Sequence, residues 1–186
     1  MKPKVGRRFV LRKGGIIIEE EIRVLAVSPH WAYFILKHDK RISYKNIGLK
    51  KIEIRSTDTH KGKIAIYVTK HKYTQKEVGG IEDWLVQLWD RGYLTKNEYG
   101  DVSTYDFNKD KGYIVGTVEI AATSQVVDLM DFYLYTGYHL APEFYFRPDK
   151  TYFWWLINPV VFDTPIKYTP PRGAVVWSKT VLPEGY

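Results

Sequence analysis

The spacing of apolar residues along the chain predicts mainly short strands. A strand-like run, the turn residues Gly14 and Gly15, and a β-branched strand that ends near Val27 first indicate a hairpin. Later runs that alternate apolar and polar residues, or are rich in β-branched and aromatic residues, are bounded by glycine, proline or basic loops. They predict strands over residues 50–56, 62–70, 112–125, 152–157, 160–167 and 173–177.

One stretch after the hairpin changes to the helical period. Ser28 followed by Pro29 is a favourable helix start, because serine can cap the first turn and proline suits its backbone geometry. Trp31, Phe34 and Ile35 then fall on one face. This pattern predicts a helix to about residue 37.

The middle of the chain carries a second amphipathic stretch. Apolar residues share one helical face over residues 81–88, and Gly92 is the expected stop. Residues 101–111 have the composition of a loop. Residues 126–150 form a mixed segment in which one or two helical turns and an aromatic loop are expected.

Strands separated by turns, with a few inserted helices, predict a mainly β fold arranged as a small, partly open β-barrel. At 186 residues the chain is long enough for one proper core, so we expect a single domain over residues 1–186. A doubly wound α/β fold would need a more regular alternation of strands and helices, and it is the alternative.

The formal charge of +7 is unevenly distributed. The segment from Lys37 to Lys76 holds twelve basic and three acidic residues, net +9, whereas the rest of the chain is net −2. A local surplus of this kind attracts polyanions, of which RNA and DNA are the commonest. The alternative is a solvated lysine-rich face that contributes to solubility.

Composition excludes several kinds of chemistry. The absence of cysteine rules out disulfides, thiolate metal sites and a cysteine nucleophile. The five histidines show no metal-ligand spacing, so neither a metal nor another cofactor is predicted. No window resembles a membrane span or a signal peptide, and we expect a cytoplasmic protein without a membrane partner. The few Asn, Gln, Met and Cys residues are consistent with a thermophilic source.

The stretch NIGLKKIEIR carries candidate chemistry on an otherwise strand-like run. Gly48, Lys50, Glu53 and Arg55 follow the pattern G-x-K-x-x-E-x-R. Because side chains alternate along a strand, Glu53 and Arg55 share one face, opposite the isoleucines that are expected to face the core. The pair could bridge each other on a wet strand face or, in a recess, orient a ligand.

The order of these elements resembles the ASCH domain, a relative of the PUA-like RNA-binding barrels. The similarity is carried by the helix SPHWAYFIL, the pattern G-x-K-x-x-E-x-R, and the late segments WWLINPVVFDTPI and GAVVW. It covers about residues 24–177, which leaves the first hairpin as an extension. The resemblance implies a β-barrel whose cleft is lined by Lys50, Glu53 and Arg55.

Members of this family include RNA-binding or coactivator-linked domains, a ribonuclease, and an amidohydrolase that removes an acetyl group from modified cytidine. In that amidohydrolase a threonine nucleophile stands three residues after the signature lysine. Glu53 occupies this place here. A carboxylate can act as a general base or bind a ribose hydroxyl, but it is not an alcohol activated for acyl transfer.

Basic and aromatic residues around the signature are further binding candidates. Lys50 and Arg55 would contact phosphate or a base edge. Trp154, or Tyr145 in the aromatic loop, would stack on a base, although at least some rings of the Tyr152–Trp155 run must belong to the core. The remaining candidates for phosphate contacts are Arg41, Lys45, Lys51, Lys61, Lys63, Lys70 and Lys72.

Three functions follow as hypotheses. The first is RNA binding through a basic cleft around the signature, with DNA as an alternative ligand. The second is a ribonuclease or modified-nucleoside amidohydrolase that uses Lys50 and Glu53 for acid and base catalysis. The third is a protein-interaction module.

Overall fold

The computed structural model describes residues 7–12, 15–37, 48, 50–57, 60–184 and 186. Their strands and helices are, in chain order, β1 (Arg7–Arg12), β2 (Gly15–Val27), α1 (Pro29–Leu36), β3 (Ile52–Arg55), β4 (Gly62–Val68), α2 (Gln75–Asp90), α3 (Lys96–Ser103), β5 (Tyr113–Gln125), α4 (Leu129–Leu134), α5 (Thr136–His139), a 3₁₀ helix (Glu143–Tyr145), β6 (Tyr152–Lys167) and β7 (Trp177–Val181). None of the helices in this part of the chain is long and apolar enough to cross a membrane.

The strands form one mixed, seven-stranded sheet. Strands β7, β2, β4, β5, β6 and β3 lie side by side in that order, and β1 pairs with the first half of β2 as the predicted hairpin. Only β2 and β4 run parallel, whereas the other described pairs are antiparallel. Gly14 of the predicted turn lies outside the described residues.

Helix α1 lies within the connection between the parallel strands β2 and β4. It begins after Ser28 with Pro29 in its first turn, as predicted, and nearly all of its side chains are buried. The sequence pattern indicated one apolar face, but the helix is covered on every side. A helix this enclosed gives the neighbouring segments a fixed surface to pack against.

Helices α2 and α3 both begin with a capping box. Thr74 and Glu77 start α2 earlier than the apolar pattern alone predicts, because each side chain bonds the other residue's backbone N–H. Thr95 and Glu98 do the same for α3. The prediction did not include α3, and its second half lies where a loop was expected.

Strand β6 is one long strand, which corrects the prediction of two strands separated at Pro159. The pairing with β5 skips from Ile157 to Val160, and Asn158 adopts a left-handed φ of 51°. Proline has no N–H to donate, and this irregularity places it where no ladder bond is needed. Strand β7 begins at Trp177, where the predicted strand was expected to end.

The mixed segment between β5 and β6 forms two short helices, α4 and α5, and the 3₁₀ helix. Asp128 caps α4 by accepting a hydrogen bond from the N–H of Asp131 at 2.8 Å. Helix α5 ends at Leu140, which has a left-handed φ of 52°. These helices cover the face of β6 and β3 on which Phe153 and Trp155 lie.

The sheet curls without closing through hydrogen bonds between its described edge strands. Trp154 of β6 and Trp177 of β7 lie with their ring centroids 5.7 Å apart, so side chains partly fill the space between the two ends of the sheet. His60 packs against both rings, at 5.3 and 4.4 Å. The predicted mainly β class with inserted helices is confirmed, and in place of the predicted partly open barrel the structure has a curled sheet whose described edge strands are not joined by hydrogen bonds.

Candidate functional site

Gly48 brings the signature segment into direct contact with α1. A Cβ at this position would lie 2.2 Å from the carbonyl oxygen of Ile35, closer than any side chain can approach. The backbone N–H of Lys50 then donates to the carbonyl oxygen of Phe34 at 2.9 Å. Only glycine permits this approach, and it fixes where the Lys50 side chain starts.

The Lys50 side chain enters the interior. Lys50 is 2% exposed, and its Nζ lies 3.3 Å from Oε2 of Glu53 and 3.9 Å from the centroid of the Trp31 ring. Burial lowers the pKa of Lys50, while the nearby carboxylate of Glu53 acts in the opposite direction. The Lys50 side chain, which the resemblance places in a cleft, is therefore almost fully enclosed by protein.

Glu53 links the two cations of the signature. It is 5% exposed, and its Oε1 lies 2.9 Å from Nη2 of Arg55, whose side chain is 22% exposed. Glu53 therefore contacts both Lys50 and Arg55. We call these three side chains the Lys50 network. Arg55 is its most accessible member.

Two polar atoms of the Lys50 network are buried without a hydrogen-bond partner among the described residues. They are Oε2 of Glu53, which has only its ion-pair distance to Lys50, and Nε of Arg55. For Nε of Arg55, which has no ion-pair contact of its own, this condition costs about 1 to 3 kcal/mol. One acceptor and one donor of the network are thus incompletely satisfied.

Aromatic rings enclose the Lys50 network. Trp31 contacts Trp84 of α2 and Tyr145 edge-on, with centroids 5.2 and 5.7 Å apart. The indole N–H of Trp31 donates to the Tyr145 hydroxyl at 3.4 Å. Tyr145, a predicted stacking residue, is therefore close to the network and is 38% exposed.

His30 also belongs to this environment. Its ring centroid lies 4.7 Å from that of Trp31, and its Nδ1 lies 2.7 Å from the hydroxyl of Tyr73. Burial, and then the charge of Lys50, lowers the pKa of His30 to about 4. His30 is therefore a neutral hydrogen-bonding group at physiological pH.

Trp154 is not a stacking residue in this structure. It lies opposite Glu53 in the β3–β6 register, but it is fully buried, and its indole N–H donates to the carbonyl oxygen of Thr57 at 2.6 Å. The ring packs against His60 and Trp177, and no part of it is exposed. The prediction that Trp154 offers a face to a base is wrong.

The predicted phosphate-contacting lysines are dispersed. Lys61 and Lys63 lie at the start of β4, and Lys70 and Lys72 follow its end, so the two exposed pairs are separated by roughly 20 Å, the length of the strand. Lys51 lies on another side, with Nζ 5.1 Å from the Tyr138 ring centroid. Arg41 and Lys45 lie outside the described residues.

The described part of the chain contains no candidate metal-binding group. Within the described residues, no three His, Asp or Glu side chains lie together as a metal-binding group requires. The chemical groups of the site are an amine, a carboxylate and a guanidinium, with aromatic rings around them. In proteins, groups of these kinds are able to hydrogen-bond planar polar ligands and to exchange protons.

No protein-family model matches the sequence, and no curated protein matches it. A crystal structure of an ASCH protein from Zymomonas mobilis is similar over 87% of this chain and 87% of that chain, with 15% sequence identity and a TM-score of 0.43.

Proposed function

We propose that this chain binds single-stranded RNA and holds one base, or one modified base, against the Lys50 network. The observation that carries this proposal is the buried Lys50–Glu53–Arg55 cluster with its incompletely satisfied acceptor and donor. The concentration of basic residues between Lys37 and Lys76 supports a polyanionic ligand.

Stability alone does not account for the cluster. Transferring two cations and a carboxylate from water to the interior costs several kcal/mol per ion, and mutual attraction often fails to repay it. Two cations share one carboxylate here, which leaves a net positive charge in an enclosed place. Such groups are frequent at functional sites, where an approaching ligand completes their interactions.

The chemistry of the network fits a base edge. Oε2 of Glu53 is an acceptor and Nε of Arg55 is a donor, and nucleobases present donors and acceptors side by side. Glu53 can also accept from a ribose 2′-hydroxyl, which favours RNA over DNA. Tyr145 offers a partly exposed ring for stacking, and the exposed lysines at the ends of β4 supply phosphate contacts.

The proposal is tested by fluorescence anisotropy with labelled single-stranded RNA, the matching single-stranded DNA and duplex RNA. Saturable binding that prefers single-stranded RNA supports it. Equal binding of RNA and DNA contradicts the role of the 2′-hydroxyl. The absence of nucleic-acid binding at low salt contradicts the proposal as a whole and favours a protein-interaction module.

A hydrolase at the same place is a second candidate, and the position of Lys50 favours it. Burial lowers the pKa of its amine, and a carboxylate lies 3.3 Å away, so the pair is suited to exchange a proton with a substrate. Turnover of labelled RNA or of acetylated nucleosides, lost in folded Lys50→Ala, would establish this activity. Binding without turnover at any pH tested leaves the protein a binder.

A further inference from the structure

A cavity lies apart from the Lys50 network, between α2, α3 and the turn at residues 105–111. It has a volume of about 740 Å³ and is open on one side. We call it the α2–α3 groove. Ligand sites in proteins commonly have this size and combine apolar and aromatic walls with a few polar groups.

The walls of the α2–α3 groove are largely aromatic. Tyr73, Tyr99, Tyr105 and Phe107 line it, each half-buried, together with apolar side chains of α2. Rings in this condition are held by neighbours on one side and leave other surface open to a ligand. Aromatic surfaces of this kind stack on nucleobases of any sequence.

The charges in the α2–α3 groove cancel. Lys72 and Lys111 are balanced by Glu82 and Asp106. Lys111 is oriented, since its Nζ donates to Oδ1 of Asn108 at 2.6 Å and lies 5.3 Å from the Tyr73 ring centroid. A neutral groove with donors and acceptors on its walls suits an uncharged heterocycle better than a phosphate.

Tyr73 connects the groove to the Lys50 network. Its ring lines the groove, and its hydroxyl lies 2.7 Å from Nδ1 of His30. The His30 ring contacts Trp31, which lies under the Lys50 ammonium. The side chains of His30 and Trp31 therefore lie between Tyr73 in the groove and Lys50 in the network. One nucleic-acid strand is long enough to span this distance.

We infer that the α2–α3 groove is a second base-binding subsite, which takes an unpaired base of the same RNA strand that the Lys50 network holds. This inference rests on the proposed function and deepens it. It assigns a role to α2, α3 and the following turn. The inference also predicts that a longer RNA strand binds more tightly than a short oligonucleotide, because only the longer strand reaches the α2–α3 groove.

The test fills the groove without touching the Lys50 network. Val78 of α2 lines the groove and is 37% exposed, so Val78→Trp places a large side chain in it. Val86, on the same helix and 38% exposed, is not among the lining residues, and Val86→Trp is the matched control. Ser103→Trp fills the groove from α3 and serves as an independent second variant.

Anisotropy is measured with labelled oligoadenylates of about 2 and about 12 nucleotides, because two adjacent bases do not reach both the Lys50 network and the groove, whereas the longer strand spans several base sites. We expect both groove-filling variants to bind the longer strand about 5- to 100-fold more weakly than the unmodified protein, the loss expected for one stacked base. The shorter strand should bind all variants equally, and Val86→Trp should bind both strands normally.

Three other outcomes overturn the inference. If the groove-filling variants bind the longer strand as tightly as the unmodified protein, the groove takes no base, although the Lys50 network still binds RNA. If the groove-filling variants bind both strands more weakly by the same factor, the loss of affinity arises outside the groove. If the unmodified protein binds neither strand, both this inference and the proposed function fail.

Discussion

The ammonium of Lys50 lies over the indole of Trp31, 3.9 Å from the ring centroid, although only 2% of Lys50 is exposed. Its other partner is Glu53, which also holds Arg55. If Lys50 is removed, the carboxylate of Glu53 and the guanidinium of Arg55 remain as an ion pair without net charge. Removing the charge of Glu53 leaves two cations facing a neutral group.

This difference predicts unequal effects of the two substitutions on stability. Lys50→Met relieves the burial of a charge and keeps an unbranched chain against Trp31, so the free energy of unfolding should stay within about 1 kcal/mol of the original. Glu53→Gln should lower it by about 3 kcal/mol or more, because two buried cations lose their counter-ion. Urea denaturation of both variants measures the difference. Equal destabilisation by the two substitutions would contradict the described network.

Gly48 gives a prediction about the signature's backbone. Gly48→Ala should lower the free energy of unfolding by about 1 to 3 kcal/mol, because the new Cβ meets the carbonyl oxygen of Ile35 at 2.2 Å. Gly79→Ala is the matched control, since its Cβ meets nothing within 4 Å in the interior of α2. There alanine should stabilise by about 0.5 to 1 kcal/mol. Thermal or chemical unfolding that ranks the two variants in the reverse order would refute the close contact.

His139 predicts a loss of stability in acid. It is fully buried; the N–H of Ala141 donates to its Nδ1 at 2.9 Å, and its Nε2 lies 3.0 Å from the carbonyl oxygen of Phe132. Burial lowers its pKa from 6.5 to about 4. The unfolded chain therefore binds a proton at a higher pH than the folded chain, so stability is complete above pH 6.5 and declines as the pH falls towards 4.

The size of this decline is about 3 kcal/mol for a shift of this magnitude. His139→Gln keeps a donor and an acceptor but does not titrate, so its stability should depend less steeply on pH in this window. Unfolding measured at several pH values compares the two proteins. Parallel pH profiles would show that His139 does not titrate in the way its burial indicates.

The exposed lysines predict the salt dependence of RNA binding. If four to six phosphates are neutralised, the logarithm of the affinity should fall against the logarithm of salt with a slope of roughly −3 to −4. Replacing Lys61 and Lys63 together by Gln should reduce the slope by about 1.4. The exposed Lys109 and Lys150, outside the basic segment, are the control pair. A flat salt response would mean that the basic segment is a solvated face.

Local sequence rules predicted the elements that depend on neighbours in the chain. The N-terminal hairpin, α1 with its Ser28–Pro29 start, and the strand carrying Glu53 and Arg55 were all predicted from periodicity and turn residues. Helix α3 was missed although Thr95 and Glu98 have capping-box spacing, because its few apolar residues give a weak pattern.

Features that depend on distant contacts could not be predicted in the same way. Pro159 signals a break, but β6 continues because an irregular pairing with β5 accommodates it. The burial of Lys50 depends on where α1 places Trp31, which the signature does not encode. His30 and Tyr73 join the site only because α1 and the segment before α2 meet, and no spacing in the sequence indicates that contact.

The most direct test of the central claim is the affinity of Arg55→Gln for single-stranded RNA. Arg55 is the most accessible member of the Lys50 network, and its removal leaves the Lys50–Glu53 pair neutral, so the fold should be kept. Arg172→Gln, which replaces an exposed arginine elsewhere, is the control. The account predicts that Arg55→Gln binds labelled RNA about tenfold more weakly or worse, as expected for a lost charged hydrogen bond, while Arg172→Gln binds normally. Equal affinity of the folded Arg55→Gln variant and the unmodified protein would contradict it.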